Sequence, residues 1–369
     1  MSDLINLMEH TVIYILGAGA SKSCGVPVMN DFVREGILYL DSDGNYDTIN
    51  ELLKFIRGEF GSNIQWDNNL VSDSGIVALR KFDRDVGIEK LLTKAVELEN
   101  SKTNIVKKFI FQTIQSSAKF SVFSTPSSIT KCALDKTLEN CYHKFIVNII
   151  KRDLENGYRV IFISFNYDEL LERALLYNCL SRKFSYLVPG FKDRNNRTNF
   201  SDYEVEFNNG IMVLKLHGSL NWAFCNHCKR PHLYWYKKYT DIYDTACNNC
   251  QQKSLSHLLI TPHIKKVYND IFGVLLKEAG TFLAKANKVT IIGCSFREAD
   301  NDAWSKLWEG IKENPNLLKL NLEIIDYERD VARRDNKKKE IWNCLNKHIP
   351  ENNLNLSIHL DGFEGFVKK

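Results

Sequence analysis

Thr11-Val12-Ile13-Tyr14-Ile15-Leu16-Gly17-Ala18-Gly19-Ala20-Ser21 joins an unbroken apolar run to a glycine-rich turn. A run without polar alternation suits a strand buried on both faces, as in a parallel sheet. Glycines after such a strand let backbone N–H groups come close to a phosphate, and a following helix N-terminus favours negative charge. The spacing is G-x-G with Gly25 six residues beyond Gly19, so it departs from the G-x-G-x-x-G fingerprint. A tight strand-to-helix turn that holds no ligand accounts for it as well.

Outward from that turn, strand signals return at Arg159–Ser164, Ile211–Leu216, Leu258–Thr261, Val289–Ile292, Leu320–Ile325 and Leu356–Leu360. Helical periodicity separates several of them, at Glu169–Leu176, Val267–Ala286 and Asp302–Glu313. Strands alternating with helices predict an α/β fold with a mostly parallel sheet. Residues 30–157 read as mostly helical, with helices at Ile49–Phe60, Gly87–Asn100 and Leu138–Asn156 and a break at Ser116–Thr130. They carry no chemistry legible in the sequence. Polar residues gather instead at strand ends, where ligands collect in such sheets.

The 369 residues include 49 Lys and Arg against 45 Asp and Glu, a net charge of +4. With 44% hydrophobic and 25% charged residues, the composition excludes a mainly disordered chain and supplies a large core. So small an excess of positive charge does not point to nucleic acid. The segment Arg333-Arg334-Asp335-Asn336-Lys337-Lys338-Lys339-Glu340 reads as a solvated helix face. No apolar run approaches the roughly 18–20 residues that span a bilayer. Met1-Ser2-Asp3-Leu4-Ile5-Asn6 lacks the basic and apolar segments of a secretory signal. The expectation is a cytoplasmic protein with no membrane partner.

Four of the ten cysteines form two C-x-x-C pairs, Cys225/Cys228 and Cys247/Cys250, with eighteen residues between them. That spacing predicts a tetrahedral Zn²⁺ site, structural because four thiolates leave no open position. Redox-active or merely buried cysteines are the alternative. Tyr234-Trp235-Tyr236, between the pairs, suits packing over the metal. His217 follows a strand and precedes Gly218, a place open to either a structural or a catalytic histidine. Asn166 and Asp168 end another strand, where capping the next helix is the simpler use.

Taken in order, these motifs resemble the sirtuin family of NAD-consuming enzymes. The matching stretches are Gly17–Ser21 with Cys24-Gly25-Val26-Pro27, then Phe165-Asn166-Tyr167-Asp168, Leu216-His217-Gly218, the two cysteine pairs and Gly293-Cys294-Ser295. The resemblance implies a Rossmann-like NAD-binding core over 1–29, 158–222 and 255–369, a helical insertion over 30–157, and a small zinc-ribbon module over 223–254. By the same analogy Gly17, Ala18, Gly19 and Ser21 hold phosphate, while Asn166 and Asp168 face the nicotinamide ribose and carboxamide. His217 would be the general base. Gly293 and Ser295 would contact the adenosine half, and Asp326 a ribose diol.

The departures narrow the branch. Protein-deacylating sirtuins carry Asp-Phe-Arg after the proline of the first turn, where this chain has Val28-Met29-Asn30-Asp31-Phe32. Their Phe-Gly-Glu stretch after the zinc region is replaced by Leu259-Ile260-Thr261-Pro262-His263. These changes resemble the bacterial sirtuin-like NAD hydrolases of anti-phage defence, whereas the two cysteine pairs resemble deacylases. The resemblance implies an NAD glycohydrolase acting by NAD depletion, gated through homo-oligomer formation or a partner in trans such as a HerA-like ATPase. The alternatives are an NAD-dependent protein-lysine deacylase and an inactive NAD-, partner- or DNA-binding module.

Overall fold

β1 (Thr11–Leu16) is buried along its whole length, as an apolar run without alternation requires. It lies inside a seven-stranded sheet, and the computed structural model describes residues 11–62, 64–65, 72–98, 100–117, 141–178, 180, 184–187, 210–233, 241–260, 270–349 and 355–368. The other strands of this sheet are β2 (Arg159–Ser164), β3 (Phe184–Tyr186), β4 (Ile211–Lys215), β8 (Lys288–Ile292), β9 (Asn321–Ile325) and β10 (Asn355–His359). Their order is β10-β9-β8-β1-β2-β4-β3, and every pairing is parallel. From β1 the chain first builds outward through β2 and then returns to lay β8 on the other flank. β1 therefore sits at the switch point of the sheet, where parallel α/β folds open a crevice at the carboxyl ends of their strands.

A second sheet of three strands, in the order β6-β5-β7, is antiparallel. It is built from β5 (Gly218–Cys225), β6 (Pro231–Leu233) and β7 (Leu255–Leu259). The apolar run expected as a core strand at Leu258–Thr261 belongs here: β7 pairs with β5 and leaves the parallel sheet. A short apolar run announces burial but not its partner, and four of the five residues of β7 are only partly buried.

Helices α1 (Ala18–Lys22), α2 (Phe32–Ser42), α3 (Tyr46–Phe60), α4 (Asp73–Asp85), α5 (Gly87–Leu98) and α6 (Asn100–Ser117) follow β1. α6 packs on α2, α3 and α5, and Phe32 and Phe109 meet edge-to-face at 6.2 Å. α7 (Cys141–Phe145) continues through a π-helical turn, Ile146–Ile150, into Lys151–Glu155. Tyr14 of β1 packs against Phe145 and Phe162 and donates its hydroxyl to Asp153 Oδ2 at 2.5 Å. The helical layer and the sheet share one buried apolar cluster, so the layer has no core of its own. The break expected at Ser116–Thr130 lies mostly outside the described residues. α8 (Leu170–Tyr177), α9 (Asp270–Leu283), α10 (Asn301–Lys312), α11 (Val331–Asn346) and α12 (Gly362–Phe366) follow, with a single helical turn at Asp241–Asp244 between β6 and β7. The basic segment Arg333–Glu340 lies on α11, largely exposed. Among the described residues, no helix is long and apolar enough to cross a membrane.

Candidate functional site

The loops after β1, β2 and β8 are knitted by backbone bonds before any side chain is considered. Gly17 N–H donates to Ile292 O and Gly19 N–H to Gly293 O, both at 2.9 Å, while Phe165 N–H donates to Leu16 O at 2.9 Å. Gly293 has φ +64°, and a Cβ there would lie 2.3 Å from Ala20 N. A Cβ on Gly19 would lie 2.7 Å from the Gly293 Cα. The glycines thus let two loops cross backbone to backbone, a use the G-x-G spacing leaves open.

Side chains from the first two loops meet below this crossing. Asn166 Nδ2 donates to Gly17 O at 2.9 Å and to Ser21 Oγ at 3.1 Å. The Ser21 hydroxyl donates to Asp168 Oδ2 at 2.7 Å, and Asp168 Oδ1 accepts the Leu170 N–H at 3.0 Å. Asp168 therefore takes the first N–H of α8 from one position before the N-cap Glu169, and it also braces the glycine loop. Burial pushes its carboxyl up, against the opposing pull of Lys215, Ser21 and the Leu170 N–H. The Lys215 ammonium, 2.9 Å from Glu172 Oε1 and bonded to the Asp168 carbonyl, locks this corner from below. Tyr142 of α7 lies with its hydroxyl 3.1 Å from Ser21 Oγ and 3.5 Å from Asn166 Nδ2. The segment that held no legible chemistry so contributes a buried phenol to the site.

His217 follows β4, and its ring is enclosed by aromatic faces. Tyr167 stacks on it at 5.8 Å and Phe165 meets it edge-on at 5.2 Å. Its Nδ1 is 3.0 Å from Phe165 O, and its Nε2 is 3.1 Å from Asp300 Oδ1. Asp300, at the N-cap of α10, follows the Gly293-Cys294-Ser295 motif by five residues but was given no role by the sequence.

These groups border one cavity of about 490 Å³, within the range of small-molecule sites. Gly17, Ala18, Gly19, Ser21, Asn166, Asp168, His217, Gly293, Ser295 and Asp326 all line it. Asp326 ends β9 and is 3.2 Å from Lys337 Nζ of α11. Across the opening, Arg297 Nη1 is 2.9 Å from Glu89 Oε1 of α5. Ser21 is 1% exposed, and its hydroxyl is bonded to Asp168 within the loop.

Cys225, Cys228, Cys247 and Cys250 come together beside the small sheet, their Sγ atoms all within 4.8 Å of one another. Two edges measure 3.6 Å (Cys225–Cys250) and 3.7 Å (Cys228–Cys247). A tetrahedron with metal–sulfur bonds of about 2.3 Å has edges of about 3.8 Å, so the cluster fits a metal of that kind. His232 Nε2 is 3.2 Å from Cys247 Sγ, on the rim of the cluster. Tyr234-Trp235-Tyr236 lie outside the described residues.

Residues 160–343 match the family model of the SIR2-like domain. Among curated proteins, none matches the chain. Among solved structures, a Sir2–p53 peptide–NAD+ complex aligns with TM-score 0.42 at 12% identity, over 100% of this chain and 95% of that one. Sir2 bound to acetylated peptide aligns with TM-score 0.40 at 10% identity, again over 100% and 95% of the two chains. The chain thus carries a SIR2-like domain over residues 160–343.

Proposed function

We propose that the chain is an NAD glycohydrolase that cleaves NAD+ to nicotinamide and ADP-ribose, and that it serves bacterial anti-phage defence by depleting NAD. The observation that supports this most is the convergence of the glycine loop, Asn166, Asp168, His217 and Gly293 on one cavity. Loss of nicotinamide passes through an oxocarbenium-like transition state, as in glycoside hydrolysis. The leaving group departs from a cationic pyridinium, so no strong general acid is needed. The chain's work is to hold the ribose, exclude bulk water and present a nucleophile to C1′. In this reading the backbone of Gly17, Ala18 and Gly19, with Ser21, cradles phosphate. Gly293 and Ser295 touch the adenosine half and Asp326 the ribose diol. Asn166 orients a water, Asp168 faces the carboxamide, and His217 takes a hydroxyl or water proton.

The four cysteines would hold a structural Zn²⁺ that staples the small sheet. A constitutive NAD hydrolase would poison its host. We therefore propose gating through a homo-oligomer or a partner in trans, such as a HerA-like ATPase. The preserved cysteine cluster favours a second reading, the protein-lysine deacylase, in which an acyl oxygen replaces water.

The test is NAD+ incubated with wild type and His217→Ala, without peptide, and the products separated by chromatography. ADP-ribose from wild type alone is expected, with a loss of about 10²–10⁴ in the variant. Nicotinamide release that requires an acyl-lysine peptide would instead establish the deacylase. Full-speed hydrolysis by an isolated single chain would overturn the gating.

A further inference from the structure

The contacts of His217 do not fit a lone neutral imidazole. Its Nδ1 faces the carbonyl oxygen of Phe165 at 3.0 Å, and a carbonyl only accepts, so Nδ1 carries a proton. Its Nε2 then faces Asp300 Oδ1 at 3.1 Å. With neither atom protonated, two lone pairs would oppose each other in a site where His217 is 2% exposed. A proton between Nε2 and Oδ1 removes that conflict.

Asp300 also gives up its usual local bond. It occupies the N-cap of α10, where an aspartate commonly accepts a backbone N–H of the first turn. Here the side chain makes no capping bond and turns to the imidazole. Other charged groups that line the cavity have partners of their own. Arg297 is matched by Glu89 and Lys337 by Asp326. Asp168 is bonded to Ser21 and Leu170. Tyr167, stacked on the ring, donates its hydroxyl to Ile260 O at 2.7 Å.

We propose that Asp300 is the positioning residue of His217 and shares one proton with it, so that the pair acts as the base of this cavity. In the resting state the pair holds the proton. Once it has been released to solvent, the neutral imidazole and the carboxylate together accept one proton from a ribose hydroxyl or a water. That transfer restores the resting pair and leaves the oxygen anionic, with no other group consumed. The transfer to substrate rests on the NAD-cleavage reading; the pairing does not. The apparent titration belongs to the two groups jointly.

The experiment is a pH titration of the ring nitrogens in protein carrying ¹⁵N-histidine, for wild type, Asp300→Asn and Asp300→Glu. His217→Gln identifies its signal among the nine histidines. In Asp300→Asn the amide can donate to Nε2 and favour the neutral ring, while asparagine remains a good N-cap, so the fold is kept. His217 is expected to lose its second proton about one to three pH units lower in Asp300→Asn than in wild type. Asp300→Glu should recover part of the difference. An unchanged midpoint in Asp300→Asn would overturn the pairing. In the cleavage assay, Asp300→Asn should lower kcat about 10²-fold with KM little changed, and move the acid limb with the ring titration. Wild-type kcat and pH profile in that variant would overturn the shared base. A normal ring titration with no NAD+ cleavage by activated wild type would sink the glycohydrolase and leave the pair standing.

Discussion

Asn166 donates from Nδ2 to the carbonyl oxygen of Gly17 at 2.9 Å, so a side chain at the end of β2 is fixed by the loop after β1. The same nitrogen reaches Ser21 Oγ at 3.1 Å, giving one amide two acceptors in a site where Asn166 is 7% exposed. Asn166→Asp replaces the donor with an acceptor facing the Gly17 carbonyl. It should cost about 1–3 kcal/mol of stability, because buried acceptors lose their partner, and it should remove NAD+ cleavage. Urea unfolding checks the first effect and product chromatography the second. Wild-type stability would show that the amide does not bind the two loops.

The crossing of Gly19 and Gly293 predicts a sharp asymmetry among glycines. Gly293→Ala puts a methyl 2.3 Å from Ala20 N at a φ of +64°. The left-handed backbone alone costs roughly 1–2 kcal/mol, and the clash forces the loops apart. Lower melting temperature and lost ADP-ribose binding by calorimetry are expected together. Gly58→Ala is the control, since a Cβ there meets nothing within 4 Å on α3. It should be neutral or stabilising by up to about 1 kcal/mol.

Asp83 ties α4 to the start of α2, accepting Val33 N–H at 2.9 Å and Arg34 N–H at 2.8 Å. Burial pushes its carboxyl from 3.8 up to about 6, despite the two N–H donors. Below pH 4 both folded and unfolded forms are protonated, and the contribution to stability is fully present. As pH rises through about 6, the native form must ionise in a buried place and that contribution is lost. Wild type minus Asp83→Asn should therefore fall by on the order of 2–3 kcal/mol between pH 4 and pH 7. Chemical unfolding across that range checks it, and a difference independent of pH would refute it.

For the cysteine cluster, metal analysis of purified protein should find about one Zn²⁺ per chain, as a closed four-thiolate site implies. Cys247→Ser or prolonged chelation should lower the melting temperature. Fresh zinc should restore it for wild type only. Protein free of metal at full stability would count against the site.

Much of this arrangement was legible because it is local. The run Thr11–Leu16, the turn Gly17–Ser21 and the cysteine spacing each carry their meaning within a few residues. β3 was missed because three residues, Phe184–Tyr186, give no periodicity. β5 was missed because its eight residues begin at a Gly-Ser pair that reads as a turn. Tyr142 reaches Ser21 across 121 positions, and Asp300 reaches His217 from another strand's loop. Such partners follow from strand order, which no window of sequence contains. The resemblance gives Ser21 to a phosphate, and its bond to Asp168 is a further role that no local pattern announces.

The central place of β1 bears on how the protein comes into being. Its two neighbours, β2 and β8, begin at Arg159 and Lys288. The earliest of these strands to leave the ribosome must wait for nearly the whole chain before both its edges are paired. Asp300 and Asp326 emerge later still, so a nascent or truncated chain ending before them has an open crevice with no complete wall. On the NAD-hydrolase reading proposed above, the order of the strands alone would keep the crevice incomplete until late in synthesis.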